Sequence, residues 1–151
     1  MVQQTPRMRP PRIPNLLPWE QETVYFLTIC VEDRKRVLAN ARAWSTCRKV
    51  WRRLDQWPIL CAISMPDHLH LLTAPKDRDA PIGQFLKWFK RWFNEELEPE
   101  WEWMESGFDR LLRHDESREE KWHYMRQNPV RAGLVTKPED GPYQFGLDEL
   151  A

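Results

Sequence analysis

Residues 59–73 restrict the fold of this chain more than any other stretch. Two apolar runs, Ile59 to Met65 and His68 to Thr73, are separated only by Pro66-Asp67. Each run has strand length, and the Pro-Asp pair is a tight-turn signal, so the segment predicts an antiparallel hairpin. His68 and His70 both lie in its second strand. Residues i and i+2 of a strand point to one face, about 7 Å apart along the chain, so the two imidazoles stand side by side. Leu69 and Leu71 then face the other way.

The flanks of the hairpin repeat a pattern. Thr23 to Val31 is rich in β-branched and aromatic residues and reads as a strand. Trp44, Cys47, Val50, Trp51 and Leu54 recur at three and four residues, which predicts an amphipathic helix from Ala41 to Trp57, stopped by Pro58. A second helix is expected over Ile82–Leu97, with Ile82, Phe85, Leu86, Phe89 and Phe93 as its apolar stripe. Trp101 to Met104 alternates and is expected as a fourth strand, with Phe108 to Leu112 as a short extended or turn segment. A third helix is expected over residues 115–127, capped by Asp115 and broken at Asn128-Pro129. Val130 to Val135 is expected as a turn or short strand, and the tail beyond it as peripheral loop. The order strand, helix, strand, strand, helix, strand, helix predicts an α+β, ferredoxin-like antiparallel sheet packed with helices, plus a C-terminal helix carrying a tyrosine.

A chain of 151 residues is long enough for one domain with a real core. The expected division is an extended Pro- and Arg-rich arm over 1–19, a single domain over 20–145 and a tail over 146–151. Three cysteines without CxxC spacing argue against a disulfide framework or zinc ribbon, and Cys30 and Cys61 read as small buried hydrophobes. No secretory segment or long apolar span is evident, so a soluble cytoplasmic protein without membrane association is expected. The net charge of zero conceals an asymmetry. Residues 1–93 carry 16 Lys and Arg against 8 Asp and Glu, and residues 94–151 carry 7 against 15. A basic front half suits a polyanion partner, although two halves that pack together with solvated faces fit the same numbers.

Imidazole is a common ligand for divalent metals, so the histidine pair can form the rim of a metal site, while two satisfied histidines fit the bare pattern equally. Tyr124 and Asn128, four residues apart, are expected on one helix face. A phenol can attack a phosphodiester and retain the phosphate, but it is a poor nucleophile at neutral pH without a polarised phosphate or a base. Asn128 offers an oxygen as a third ligand. Packed aromatic and helix C-cap are the structural alternatives for these two residues.

Four segments carry a family resemblance: Tyr25-Phe26-Leu27-Thr28, the run Met65 to Leu72, Phe108 to Arg113, and Tyr124-Met125-Arg126-Gln127-Asn128-Pro129-Val130-Arg131-Ala132-Gly133-Leu134-Val135. In order and spacing over residues 20–145 the chain resembles the REP-associated tyrosine transposases, single-tyrosine members of the HUH nuclease superfamily. The resemblance implies an enzyme that cleaves and rejoins single-stranded DNA near REP-type palindromic hairpins. It implies Mg²⁺ or Mn²⁺ on His68, His70 and Asn128, attack by Tyr124, and a 5′-phosphotyrosine with a free 3′-hydroxyl. One tyrosine serves one strand at a time, so exchange needs two sequential events or two subunits, in a monomer or a homodimer. The tail Gly141-Pro142-Tyr143-Gln144-Phe145-Gly146 departs from the Trp-Ser-Ser ending associated with the family.

Candidate DNA contacts are Arg48, Lys49, Arg52, Arg53, Lys87, Lys90 and Arg91 on the first two helices, with Arg110 and Arg126 nearer the site. Some tryptophans are candidates for base stacking. Two other readings compete. A catalytically silent single-strand-binding domain on the same fold needs neither the histidine pair nor Tyr124. A water-using metal hydrolase needs a carboxylate base, and the only acid beside the pair is Asp67, at a turn.

Overall fold

The computed structural model describes residues 23–105, 108–112 and 117–146. The expected N-terminal arm, the Asp115 cap, Arg113 and the end of the tail lie outside these residues. The elements are β1 (Tyr25–Cys30), α1 (Ala41–Arg53), β2 (Ile59–Ser64), β3 (His68–Thr73), α2 (Ile82–Leu97), β4 (Phe108–Leu111), α3 (Arg118–Arg126), α4 (Asn128–Arg131) and β5 (Gln144–Phe145). The sheet order is β4-β1-β3-β2-β5, with every pairing antiparallel. The first four strands with α1 and α2 form the expected ferredoxin-like arrangement.

The β2–β3 hairpin forms as expected, and its register divides the sheet into two faces. Leu27, Ile29, Leu69 and Leu71 join Val50, Trp51, Phe85, Phe89 and Phe93 from α1 and α2 in the main core. At Leu60 the pairing slips, so that Ile59 pairs with Thr73 and Cys61 with Leu72. This bulge lets Ile59 and Ala62 both reach the helix-covered face while Cys61 and Ile63 reach the other. On that second face, Val24, Cys61, Ile63 and Leu72 pack around Met125 of α3. All three cysteines are free and buried. Among the described residues, no helix is long and apolar enough to cross a membrane.

Four expectations need correction. First, α1 ends at Arg53 and not at Trp57. Leu54 leaves helical geometry with its N–H on the carbonyls of Val50 and Trp51, and Trp57 then packs from the following turn against Phe85. Trp57 continues the apolar spacing without continuing the helix. Second, the Trp101–Met104 segment forms only one bridge, Val31 to Trp103, and the edge strand is Phe108–Leu111, paired with Tyr25 to Thr28. Third, the α3 cap is Ser117, whose hydroxyl accepts from the Glu120 N–H. Fourth, residues 128–131 form a helical turn, and Gln144–Phe145 is a strand on the free edge of β2 rather than loop.

The boundary between α3 and α4 matters for the site. Pro129 has no N–H to offer the carbonyl four residues back, so the helix breaks at Gln127 and restarts at Asn128. Gly133, at φ 74°, ends the new turn in left-handed geometry, and the Leu134 N–H closes back on the Pro129 carbonyl. Gly146 supports α3 from behind. A side chain there would meet the Trp122 ring at 2.5 Å.

Candidate functional site

The register of β1 and β3 sets Phe26, Thr28 and Cys30 opposite Leu72, His70 and His68. The histidines therefore stand on the face that α1 and α2 leave uncovered, with ring centroids 4.6 Å apart. Each ring is fixed through Nδ1. That of His70 lies 3.0 Å from the Thr28 hydroxyl. That of His68 lies 2.7 Å from Asp67 Oδ1 and 3.3 Å from an Arg34 Nη2. One nitrogen cannot donate to the carboxylate and accept from the guanidinium together. The shorter carboxylate contact decides, so His68 Nδ1–H donates to Asp67. Arg34 donates instead through Nε to the second Asp67 oxygen at 2.9 Å. Asp33 and Arg34 adopt positive φ, an uncommon backbone for such residues, in the turn that brings Arg34 to Asp67. The sequence alone gave Asp67 only the role of an unsuited base; in the fold it orients an imidazole.

Burial drives both histidines below the usual imidazole range, His70 down to about 3 with help from the neighbouring His68 and, less, from the positive charges of Arg131 and Lys121. Burial alone would push the Asp67 carboxyl up, but the hydrogen bonds from His68 and Arg34 outweigh it and hold the group below its ordinary value. Both shifts favour the neutral imidazoles. Two neutral imidazoles whose Nδ1 atoms are held by a carboxylate and a hydroxyl fit a divalent metal.

The depressed His70 pKa also sets a pH dependence of stability. The unfolded chain binds a proton near pH 6.5 and the folded chain only near 3, so stability is full above 6.5 and falls as the pH drops towards 3. Acidification from pH 6.5 to 4 is expected to remove roughly 2–3 kcal/mol. Urea midpoints across that range should show the loss, and His70→Leu should flatten it. An equally steep loss in the variant would contradict the assignment.

Tyr124 is 55% exposed, on the last turn of α3. It connects to the histidines through a relay of contacts. Phe26 stacks on His70 at 5.4 Å; the Lys121 ammonium lies 4.9 Å from the Phe26 ring and 5.2 Å from the Tyr124 ring. The Arg131 guanidinium lies 4.7 Å from the Tyr124 ring. Asn128 follows the helix break, so it does not share one continuous helix face with Tyr124. Its Oδ1 accepts from Arg131 Nη2 at 2.7 Å, and its Nδ2 is buried with no partner. The oxygen expected as a third ligand is therefore already engaged. Among the described residues no third His, Cys, Asp or Glu completes a metal cluster.

The basic residues expected to hold DNA divide between the faces. Arg48, Lys49, Arg52, Arg53, Lys87, Lys90 and Arg91 belong to α1 and α2, the layer opposite the histidines. Several have partners there. Lys49 bonds Glu96, Arg53 lies 4.0 Å from the Trp92 ring, Lys90 bonds the Met104 carbonyl, and Arg91 bonds Glu95. Arg110 is on the histidine face, its guanidinium 6.0 Å from the Phe26 ring, and Arg126 rests near Trp122. Sequence reasoning missed Phe26, Thr28, Arg34, Lys121 and Arg131. Three of these, Phe26, Thr28 and Arg131, lie inside the family-like segments, but only the strand register and the α3–α4 break bring them to the histidines.

A ferredoxin-like sheet with this histidine pair and tyrosine invites comparison with known proteins. No family model matches the chain. A Haemophilus influenzae protein named as a REP-associated tyrosine transposase is 23% identical over 136 residues, covering 80% of this chain and 77% of its own. A solved structure of a REP-associated tyrosine transposase bound to a REP hairpin superposes with a TM-score of 0.66 at 18% identity, over 81% of this chain and 75% of the other. This chain resembles the REP-associated tyrosine transposases. A structure described as a transposase from Deinococcus radiodurans matches with a TM-score of 0.54 at 17% identity, over 78% of this chain and 96% of its own. The likeness of fold spans about four fifths of the chain.

Proposed function

We propose that this protein is a divalent-metal-dependent endonuclease and strand transferase for single-stranded DNA, a cytoplasmic enzyme of the REP-associated tyrosine transposase type that works beside REP-type hairpins. The observation that carries the reading is the relay His70–Phe26–Lys121–Tyr124, which joins a neutral imidazole pair to an exposed phenol. His68 and His70 would hold Mg²⁺ or Mn²⁺ through Nε2, with the Asn128 oxygen available as a third donor once Arg131 releases it. The metal, when bound, supplies Lewis-acid polarisation of the scissile phosphate. Asp67 and Thr28 keep the rings oriented. Tyr124 Oη attacks phosphorus and the bond to the 3′ oxygen breaks. The phenol proton passes to water, and the departing oxygen takes one up as a 3′-hydroxyl. The 5′-phosphate remains on Tyr124, and the 3′-hydroxyl of another strand can reverse the step.

The Arg131–Asn128 bond favours one competing reading, a domain that binds single strands without cutting them. Incubation with Mg²⁺ or Mn²⁺ and single-stranded DNA containing palindromes from beside its own gene separates the two. A protein–DNA adduct that survives denaturant and is absent with EDTA is expected. Tight binding without any adduct, across several such substrates, would favour the silent domain.

A further inference from the structure

We propose that Arg131, assisted by Lys121, forms the phosphate-binding half of the site, gripping the non-bridging oxygens of the DNA phosphate presented to Tyr124. The proposal rests on the reading of Tyr124 as the nucleophile. Arg131 is exposed, and its hydrogen bonds, to Asn128 Oδ1 at 2.7 Å and to the Tyr124 carbonyl at 3.4 Å, both leave from Nη2 and end on neutral acceptors. Nε and Nη1 make no hydrogen bond among the described residues, and each two-donor edge of the guanidinium is completed by Nη2, so a phosphate gains a bidentate grip by drawing Nη2 away from Asn128 or the Tyr124 carbonyl. The guanidinium lies 4.7 Å from the Tyr124 ring, and the Lys121 ammonium lies 5.2 Å from it. Lys121 also touches Phe26, which stacks on His70. Lys121 therefore occupies the span between the phenol and the imidazoles, with Arg131 beside the phenol, where attack gathers negative charge on the non-bridging oxygens. Arg131 and Lys121 make and break no covalent bond in this role.

The geometry adds a coupling. Arg131 holds the Asn128 oxygen while no phosphate competes for it. Phosphate drawn to the guanidinium weakens that bond and frees the Asn128 oxygen, so filling the anion half of the site prepares the metal half.

The test uses the full chain with a single-stranded palindromic oligonucleotide, in EDTA, so that binding is read without metal or cleavage. Arg131→Gln is expected to weaken binding about tenfold and to lower the slope of log affinity against log salt by about one phosphate contact. Arg131→Lys should restore the slope but not the full affinity, because the charge returns without the fork. Moving a single methylphosphonate along the strand should reveal one position whose penalty in the parent protein vanishes in Arg131→Gln. In Mg²⁺ or Mn²⁺ the same variant should form adduct about a hundredfold more slowly. An unchanged salt slope in Arg131→Gln, with thermal unfolding showing the variant folded, would overturn the proposal. Should Arg131→Gln fail to fold, Arg131→Lys with parent affinity at every methylphosphonate position would overturn it too. A parent protein that forms no adduct would sink the cleavage reading alone, since the salt slope reports the phosphate contact independently.

Discussion

Tyr124→Phe is expected to abolish the covalent adduct, by at least about 10⁴-fold in single-turnover rate, while leaving the protein folded and DNA-competent. The substitution removes one oxygen and keeps the ring. The contacts of Arg131 and Lys121 are to the ring face, so both survive. Tyr124 is more than half exposed and no described hydrogen bond uses its hydroxyl, so stability should move by no more than about 0.5 kcal/mol. Denaturing gels of protein incubated with labelled oligonucleotide read the adduct, and a gel shift reads binding. Adduct persisting in Tyr124→Phe would transfer the nucleophile to another residue. Loss of binding along with adduct would mean the ring itself is part of the DNA surface.

Phe89→Ala should have the largest effect on folding. Phe89 is fully buried on α2 and packs its ring against Trp51 of α1, against Phe85 and Phe93 of its own helix, and against Trp103 from the segment before β4. Its removal leaves a cavity where both helices and the Trp103 bridge meet, with an expected cost of about 3–5 kcal/mol. That is a large share of the stability of a domain this size, so the variant should be partly unfolded at 37 °C. Urea unfolding of Phe89→Leu, which refills most of the space, should recover much of the loss. A cost below 1 kcal/mol for the alanine would show that this aromatic cluster does not hold the two helices together.

What the sequence revealed follows from which forces act locally. The hairpin and the bounds of α2 were legible because Pro66-Asp67, the alternation around His68 and His70, and the Phe85–Phe89–Phe93 stripe act over a few residues. The edge strand was misplaced because Trp101–Met104 alternates, whereas Phe108-Asp109-Arg110-Leu111 does not. The pairing of Tyr25 to Thr28 with Phe108 to Leu111, made across eighty or more residues of sequence, is what selects the edge strand. The end of α1 was overrun because Trp57 is buried at helical spacing without being helical. At the site, the side-by-side histidines were legible from a period of two. Their partners were not: Thr28 meets His70 across 42 residues of sequence and Arg34 meets Asp67 across 33, distances that only strand register and a left-handed turn close. The cations of α1 and α2 drew attention as a charge cluster, yet the sheet stands between them and the histidines.

The two-residue β5 has a consequence for how the protein is made. Strand β2 forms its hairpin with β3 early in the chain, but among the described residues its other edge is closed only by Gln144 and Phe145, with Ser64 N–H meeting the Tyr143 carbonyl just beyond. During synthesis from the N-terminus, that edge stays open while some eighty residues emerge after Ser64, and it offers unpaired backbone groups to any neighbouring nascent chain. This late strand thus acts as a seal, and a polysome crowded with unfinished copies is where this fold is most exposed to mispairing.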